Sequence, residues 1–240
     1  MRALCILHDH LSSSGYLGDR LREHGWQVED LLVVPADRFA TPDVSCEFPD
    51  PTDYDLLVPL GAPWSAYDDD TIGSWLGQEL AWLSTAIAAD VAVLGICFGA
   101  QALARAVGAE VRRAEQAEIG WVTVTTDDPE QVPPGPWFQW HYDTFAVPTH
   151  ATELARTAAA PQAYRLGRSL AVQFHPELTP DVLDAWLSHG GEAKARAFGL
   201  DPDVLRAETS RACGDARERT YALVDEFLRR SFEAACGAAS

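Results

Sequence analysis

Short apolar runs alternate along the chain with stretches in which apolar residues recur every three or four positions, the pattern of parallel strands joined by crossover helices. Residues 3–7 read as a first strand, 15–24 as a helix, 28–34 as a second strand and 56–60 as a third. From Asp70, the predicted N-cap, to Ala89, residues Ile72, Leu76, Leu80, Leu83 and Ile87 share one helical face that covers the sheet, flanked by Trp75 and Trp82 as packing residues. Residues 91–96 form a continuous apolar run, as suits a central strand buried on both faces, and residues 98–107 read as a helix closed by Gly108.

Beyond Glu110 the period changes. Residues 121–125 alternate, Pro133-Pro134-Gly135-Pro136 interrupts the chain, and residues 169–174 are apolar again, so the stretch up to Gln173 is β-rich. After Glu177 the pattern is helical, with Pro180 near a helix start and Tyr221, Val224, Phe227, Leu228 and Phe232 on an apolar stripe. The expected fold class is α/β: a mostly parallel central sheet flanked by helices. No interdomain linker breaks the 240 residues, which read as one domain with a core over about 1–190 and a helical extension over about 191–240.

Charge narrows the partners. The formal net charge is −18, and Lys194 is the only lysine, so nearly all positive charge is arginine. Such a surface repels polyanions, and the basic dipeptides Arg112-Arg113 and Arg229-Arg230 are too short for a nucleic-acid patch. The first apolar run is too short for a signal peptide and no stretch approaches a membrane span, so the expected location is cytoplasmic, with no membrane partner. Cys5, Cys46, Cys97, Cys213 and Cys236 are an odd set without a Cys-x-x-Cys pair, which signals neither a disulfide framework nor a thiolate zinc site.

Cys97 stands apart by its surroundings, Gly95-Ile96-Cys97-Phe98-Gly99-Ala100-Gln101, at a predicted strand-to-helix junction. A tight turn there projects the thiol, the helix N-terminus favours its thiolate, and the two glycines give a strained nucleophile room. The competing reading is a buried cysteine that ends a core strand. A cysteine nucleophile needs a base, and the base needs a group to hold its ring. Gln173-Phe174-His175-Pro176-Glu177, at the end of another apolar run, supplies both in His175 and Glu177, although a histidine before proline at a strand end also has a purely structural reading.

Together the two motifs resemble the class I glutamine amidotransferases, whose elbow reads Gly-x-Cys-x-Gly-x-Gln and whose histidine lies in a His-Pro-Glu segment. The similarity runs from about Leu4 to Trp186. It is nearest to the stand-alone branch likened to the amidotransferase domain of GMP synthetase, through Trp140-His141-Tyr142-Asp143-Thr144-Phe145 and the helical tail. The resemblance implies a flavodoxin-like sheet with a nucleophile elbow and a Cys97-His175-Glu177 triad. It also implies an oxyanion hole from the backbone amides of Gly61 and Phe98, and glutamine contacts from Gln101, Tyr142 and the segment holding His141. Gly61-Ala62-Pro63 departs from the family's Gly-Gly-Pro at Ala62, which restricts the loop wherever φ must be positive. No metal ligand set or organic cofactor is expected; His141 and Asp143 lack a third ligand nearby in sequence.

The implied reaction is hydrolysis of the glutamine side-chain amide through a γ-glutamyl thioester, releasing glutamate and ammonia. No phosphate-binding Gly-x-x-x-x-Gly-Lys-Ser/Thr loop is present, so an ammonia-accepting synthetase subunit is the expected separate partner. Two rivals remain: a γ-glutamyl peptidase or γ-glutamyl-amine hydrolase acting alone, which needs an open pocket near Trp64, Tyr67 and Trp140, and a non-catalytic binding module.

Overall fold

Strands covered on both faces must be apolar at every position, and three such strands form the centre of this molecule. The computed structural model describes residues 1–233. Its first half runs β1 (Arg2–Asp9), α1 (Gly15–Glu23), β2 (Gln27–Val34), β3 (Leu56–Pro59), α2 (Asp69–Ala88), β4 (Ala92–Ile96) and α3 (Phe98–Ala106). Its second half runs β5 (Val111–Thr126), β6 (Gly135–Phe145), β7 (Thr152–Arg156), β8 (Pro161–Leu166), β9 (Ser169–Val172), α4 (Pro180–Trp186), α5 (Glu192–Ala197) and α6 (Pro202–Leu228). β3, β4 and β9 are buried throughout, as the apolar runs require.

Among the described residues the strands make one sheet in the order β2-β1-β3-β4-β9-β8-β7-β5-β6. Pairing is parallel from β2 to β9 and antiparallel from β9 to β6. The expected α/β fold with its parallel core is therefore present, and the β-rich stretch extends the same sheet as an antiparallel wing. β4 and β9 are adjacent, with Ile96 opposite Val172. That register brings the ends of two strands 76 residues apart in sequence to one edge of the sheet, where Cys97 N–H donates to the Val172 carbonyl at 2.8 Å.

α2 begins earlier than predicted. Asp68, not Asp70, is the N-cap, and its carboxylate accepts from Thr71 N–H at 3.2 Å. The backbone leaves helical geometry at Ile72 (φ −134°, ψ 16°), so the first turn is a separate short piece that the apolar spacing did not register. The buried face is also rotated: Trp75 is fully buried and Trp82 nearly so, while Leu80 and Ile87 are only partly buried. Glu79 lies inside that face, fully buried. Gly108, at φ +86°, closes α3 as expected, with Ala109 N–H reaching back to the Ala104 carbonyl.

The long helix α6 is built into the domain. Leu223, Val224, Phe227 and Leu228 share a core with Ala3, Val58 and Leu94, and Arg20 of α1 clasps Asp225 with two 2.7 Å hydrogen bonds. Thr220 donates to the Pro176 carbonyl at 2.7 Å, so α6 also braces the segment between His175 and Glu177. Residues 234–240, including Cys236 and the end of the predicted tail, lie outside the described residues.

Candidate active site

The strand-to-helix junction is a tight, strained turn. Cys97 sits between β4 and α3 with φ 51° and ψ −106°, a conformation that a residue with a Cβ adopts only when its surroundings force it. Three constraints do so here: the Cys97 N–H bond to Val172, the Gly99 N–H bond to the Leu60 carbonyl at 3.0 Å, and the close approach of the helix to β3. A Cβ on Gly99 would lie 2.0 Å from the Pro59 carbonyl oxygen, so glycine there serves proximity to the neighbouring strand. The Cys97 sulfur is buried, with Gln173 Nε2 at 3.6 Å.

β9 delivers the second motif to the same place. His175 N–H donates to the Phe138 carbonyl at 2.9 Å, and His175 Nδ1 donates to Glu177 Oε1 at 2.7 Å. Both side chains are buried, and the edge of Trp186 packs on the imidazole with ring centroids 4.9 Å apart. Burial opposes a charge on His175, but the Glu177 carboxylate and then the Cys97 sulfur outweigh it, pushing the imidazole pKa up to about 10. His175 Nε2 is buried without a hydrogen-bond partner of its own among the described residues. An imidazole oriented at Nδ1 and open at Nε2 can hold a proton and hand it on.

The loop after β3 closes over both groups. At Gly61, a Cβ would stand 3.0 Å from His175 Cε1 and 3.9 Å from Cys97 Cβ, so the backbone there runs directly against both side chains. Among the described residues no hydrogen bond uses the N–H of Gly61, Ala62 or Phe98. Gly61 and Phe98 line one cavity with Cys97 and His175. Their amides are thus available to an anionic oxygen.

Gln101, Tyr142 and His141 line the same cavity and differ in how their side chains are spent. Gln101 is buried, its amide nitrogen donating to the Asp143 carbonyl (3.3 Å) and to Gln173 Oε1 (3.1 Å). Tyr142 lies under the Arg113 guanidinium, 4.9 Å above its ring, and its hydroxyl accepts from Trp140. His141 turns into the interior: Nδ1 meets the Asp143 carbonyl at 3.0 Å and Nε2 lies 3.2 Å from the buried Glu118.

Several residues outside the predicted triad, oxyanion hole and glutamine contacts complete the site. Asp143 accepts from Ser65 Oγ (2.6 Å) and Tyr67 hydroxyl (3.0 Å), tying β6 to the loop after β3. Trp186, His189 and Lys194 come from the helical segment and wall the cavity on one side, with Phe39 and Trp64 on another. Gln173 bridges Gln101 and Cys97, and its place inside an apolar run just before His175 was the one local clue. Among the described residues no three His, Cys, Asp or Glu side chains converge as a metal site, and no helix is long and apolar enough to cross a membrane.

Comparison with known proteins adds to this geometry. The family model described as glutamine amidotransferase class-I matches residues 16–189. The chain is 26% identical to the glutamine amidotransferase-like protein YfeJ of Salmonella typhimurium over 211 residues, 83% of this chain and 85% of that protein. It is 36% identical to a glutamine-hydrolysing GMP synthase of Aeropyrum pernix over 136 residues, which cover 51% of this chain but only 27% of the synthase. Among solved structures, a glutamine amidotransferase from Thermotoga maritima superposes with a TM-score of 0.81 at 26% identity, covering 95% of this chain and 98% of that one.

Proposed function

The chain belongs to the class I glutamine amidotransferase family, and from that premise we propose that it hydrolyses a γ-glutamyl amide, glutamine first among them, with Cys97 as nucleophile and His175 and Glu177 as its proton-transfer pair. The observation that carries this reading is the strained Cys97 backbone beside a His175–Glu177 contact of 2.7 Å. Cys97 thiolate attacks the side-chain amide carbon. The amides of Gly61 and Phe98 hold the resulting oxyanion. His175 gives its proton to the departing amine, leaving a γ-glutamyl thioester, then takes a proton from the attacking water and returns it to the sulfur as glutamate leaves. Glu177 holds the ring throughout, and Gln101 and the Tyr142 backbone lie where the glutamyl portion docks. An ammonia-accepting synthetase subunit is the proposed partner for glutamine; the GMP synthases among the relatives carry further length beyond the matched part.

A second reading is favoured by the aromatic wall. Phe39, Trp64, Trp140 and Trp186 line the cavity, an apolar surface that suits a γ-glutamyl conjugate with an organic amine. The test is amine or ammonia release from glutamine and from a panel of γ-glutamyl amines and dipeptides, with Cys97→Ala as control. Turnover of glutamine supports the amidotransferase reading, turnover of conjugates alone moves the assignment to the hydrolase, and no Cys97-dependent turnover or active-site labelling on any substrate overturns both.

A further inference from the structure

Behind the oxyanion loop lies a second histidine–glutamate pair that the reaction above does not use. His8, at the end of β1, and Glu79, in the middle of α2, are both fully buried. His8 Nε2 meets both Glu79 oxygens at 3.0 and 3.1 Å, and His8 Nδ1 meets the Gly61 carbonyl at 3.1 Å. Trp75 and Phe98 pack on the ring, with centroids 5.6 and 4.6 Å away. Both ring nitrogens face acceptors, so the arrangement calls for an imidazolium that donates from each. Glu79 raises the pKa of His8 against the opposing effect of burial, in keeping with that state.

A buried ion pair is a poor way to add stability. Its desolvation cost rivals its Coulombic gain, and apolar residues of the same volume often do as well or better. Its geometry, by contrast, is directional, and here it is directed at one carbonyl. A trans peptide holds C=O and the following N–H on opposite edges. Fixing the Gly61 carbonyl toward His8 therefore turns Ala62 N–H away from it, toward the cavity that Ala62 and Cys97 line together. The same bond pins Gly61 itself against His175 Cε1.

We propose that His8, held by Glu79, is a positioning residue that clamps the Gly61–Ala62 peptide so that the loop's amides face the oxyanion. This rests on the hydrolytic reading above, in which the Gly61 amide acts on the tetrahedral intermediate; the clamp fixes Gly61 in place and adds the Ala62 N–H to the loop's donors. His8 touches neither substrate nor nucleophile. Its contribution belongs to the transition state: it should appear in kcat and leave KM nearly alone.

The test compares His8→Leu, His8→Asn and the double variant His8→Leu/Glu79→Leu, using kinetics, melting temperature and a crystal structure of each. Asparagine places its amide nitrogen near the position of Nδ1 and keeps a donor for the Gly61 carbonyl. The expected result is a kcat lowered roughly 30–100-fold in both leucine variants, somewhat less than deletion of an oxyanion donor. KM should stay within about 3-fold, activity should return in part with asparagine, and the double variant should melt at or above the wild-type temperature. In the crystals, the Gly61–Ala62 peptide should be rotated or displaced in the leucine variants. If kcat holds in the double variant, or if asparagine and leucine fall together, the clamp is refuted. Should the wild type turn over no γ-glutamyl substrate, the hydrolytic reading fails on its own, and the clamp stands or falls on whether that peptide moves in the leucine crystals.

Discussion

His175–Glu177 and His8–Glu79 are chemically the same pair, both buried, both with the carboxylate raising the imidazole pKa, yet they face opposite ways. His175 has one nitrogen committed to Glu177 and the other, on the Cys97 side, without a hydrogen-bond partner among the described residues. His8 has both nitrogens committed, one to the carboxylate and one to a backbone carbonyl. A histidine with a free nitrogen can move a proton; one with none can only hold a position. On the proposed reaction, what separates the proton-transfer histidine from the positioning one is thus the partner of the second ring nitrogen, more than burial or charge.

The sharpest way to break that contrast is to remove the sulfur. Cys97→Ala should lower turnover by about 10⁴-fold or more, as loss of a covalent nucleophile does. It should also lower the His175 pKa, because Cys97 helps to hold it up, while the titration of His8 stays where it is. Imidazole proton shifts followed by NMR against pH would show both. A shift of His8 in step with His175 would mean that the two pairs are not independent.

Glu177→Gln comes next, with an expected loss of roughly 10²–10³ in kcat, since the ring keeps a neighbour but loses its charged orienter. The pH dependence carries a sign. His175 is charged below about pH 10, so proton delivery to the leaving amine should fade as pH rises through that value. Without the carboxylate the limb should move to lower pH. The stability linkage has the same direction: a histidine raised from about 6.5 contributes fully below that value and loses its contribution as pH climbs through about 10. Glu79→Gln should cost only about 10-fold in kcat and leave that limb in place, because a neutral acceptor still holds His8 without its charge. An unmoved limb in Glu177→Gln, or a moved one in Glu79→Gln, would dissolve the distinction.

The two pairs also differ in how far the sequence reveals them. His175 and Glu177 stand two residues apart in one strand-end segment, and Cys97 announces itself by its glycines, so that half of the site is legible as short motifs. His8 and Glu79 are 71 residues apart and meet only because β1 and α2 pack together. Glu79 falls on a helical face whose spacing was read from aliphatic residues alone, where a charged side chain counts as solvent-facing. The structure rotates that face toward Trp75 and Trp82 and takes Glu79 inside. Likewise the parallel core follows from apolar runs, whereas the antiparallel wing, its register and the Trp186 wall depend on pairings that no local period encodes.

Gly61 is the point where the two pairs touch, and it yields the smallest of these effects and the most discriminating. Its carbonyl accepts from His8, and a methyl group on it would stand 3.0 Å from His175 Cε1. That distance is short by a few tenths of an ångström. Either the loop yields, dragging its amides from the oxyanion, or the imidazole yields, shifting away from Cys97. Gly61→Ala should therefore fold normally and lose about 5-fold in kcat, since misplacement of a full ångström costs nearer 10². Combined with His8→Leu, which already frees the loop, the added methyl should cost little further, because the loop then moves aside at no loss. Two full, additive losses in the double variant would show that the methyl on Gly61 acts on His175 alone, independently of the loop that His8 holds.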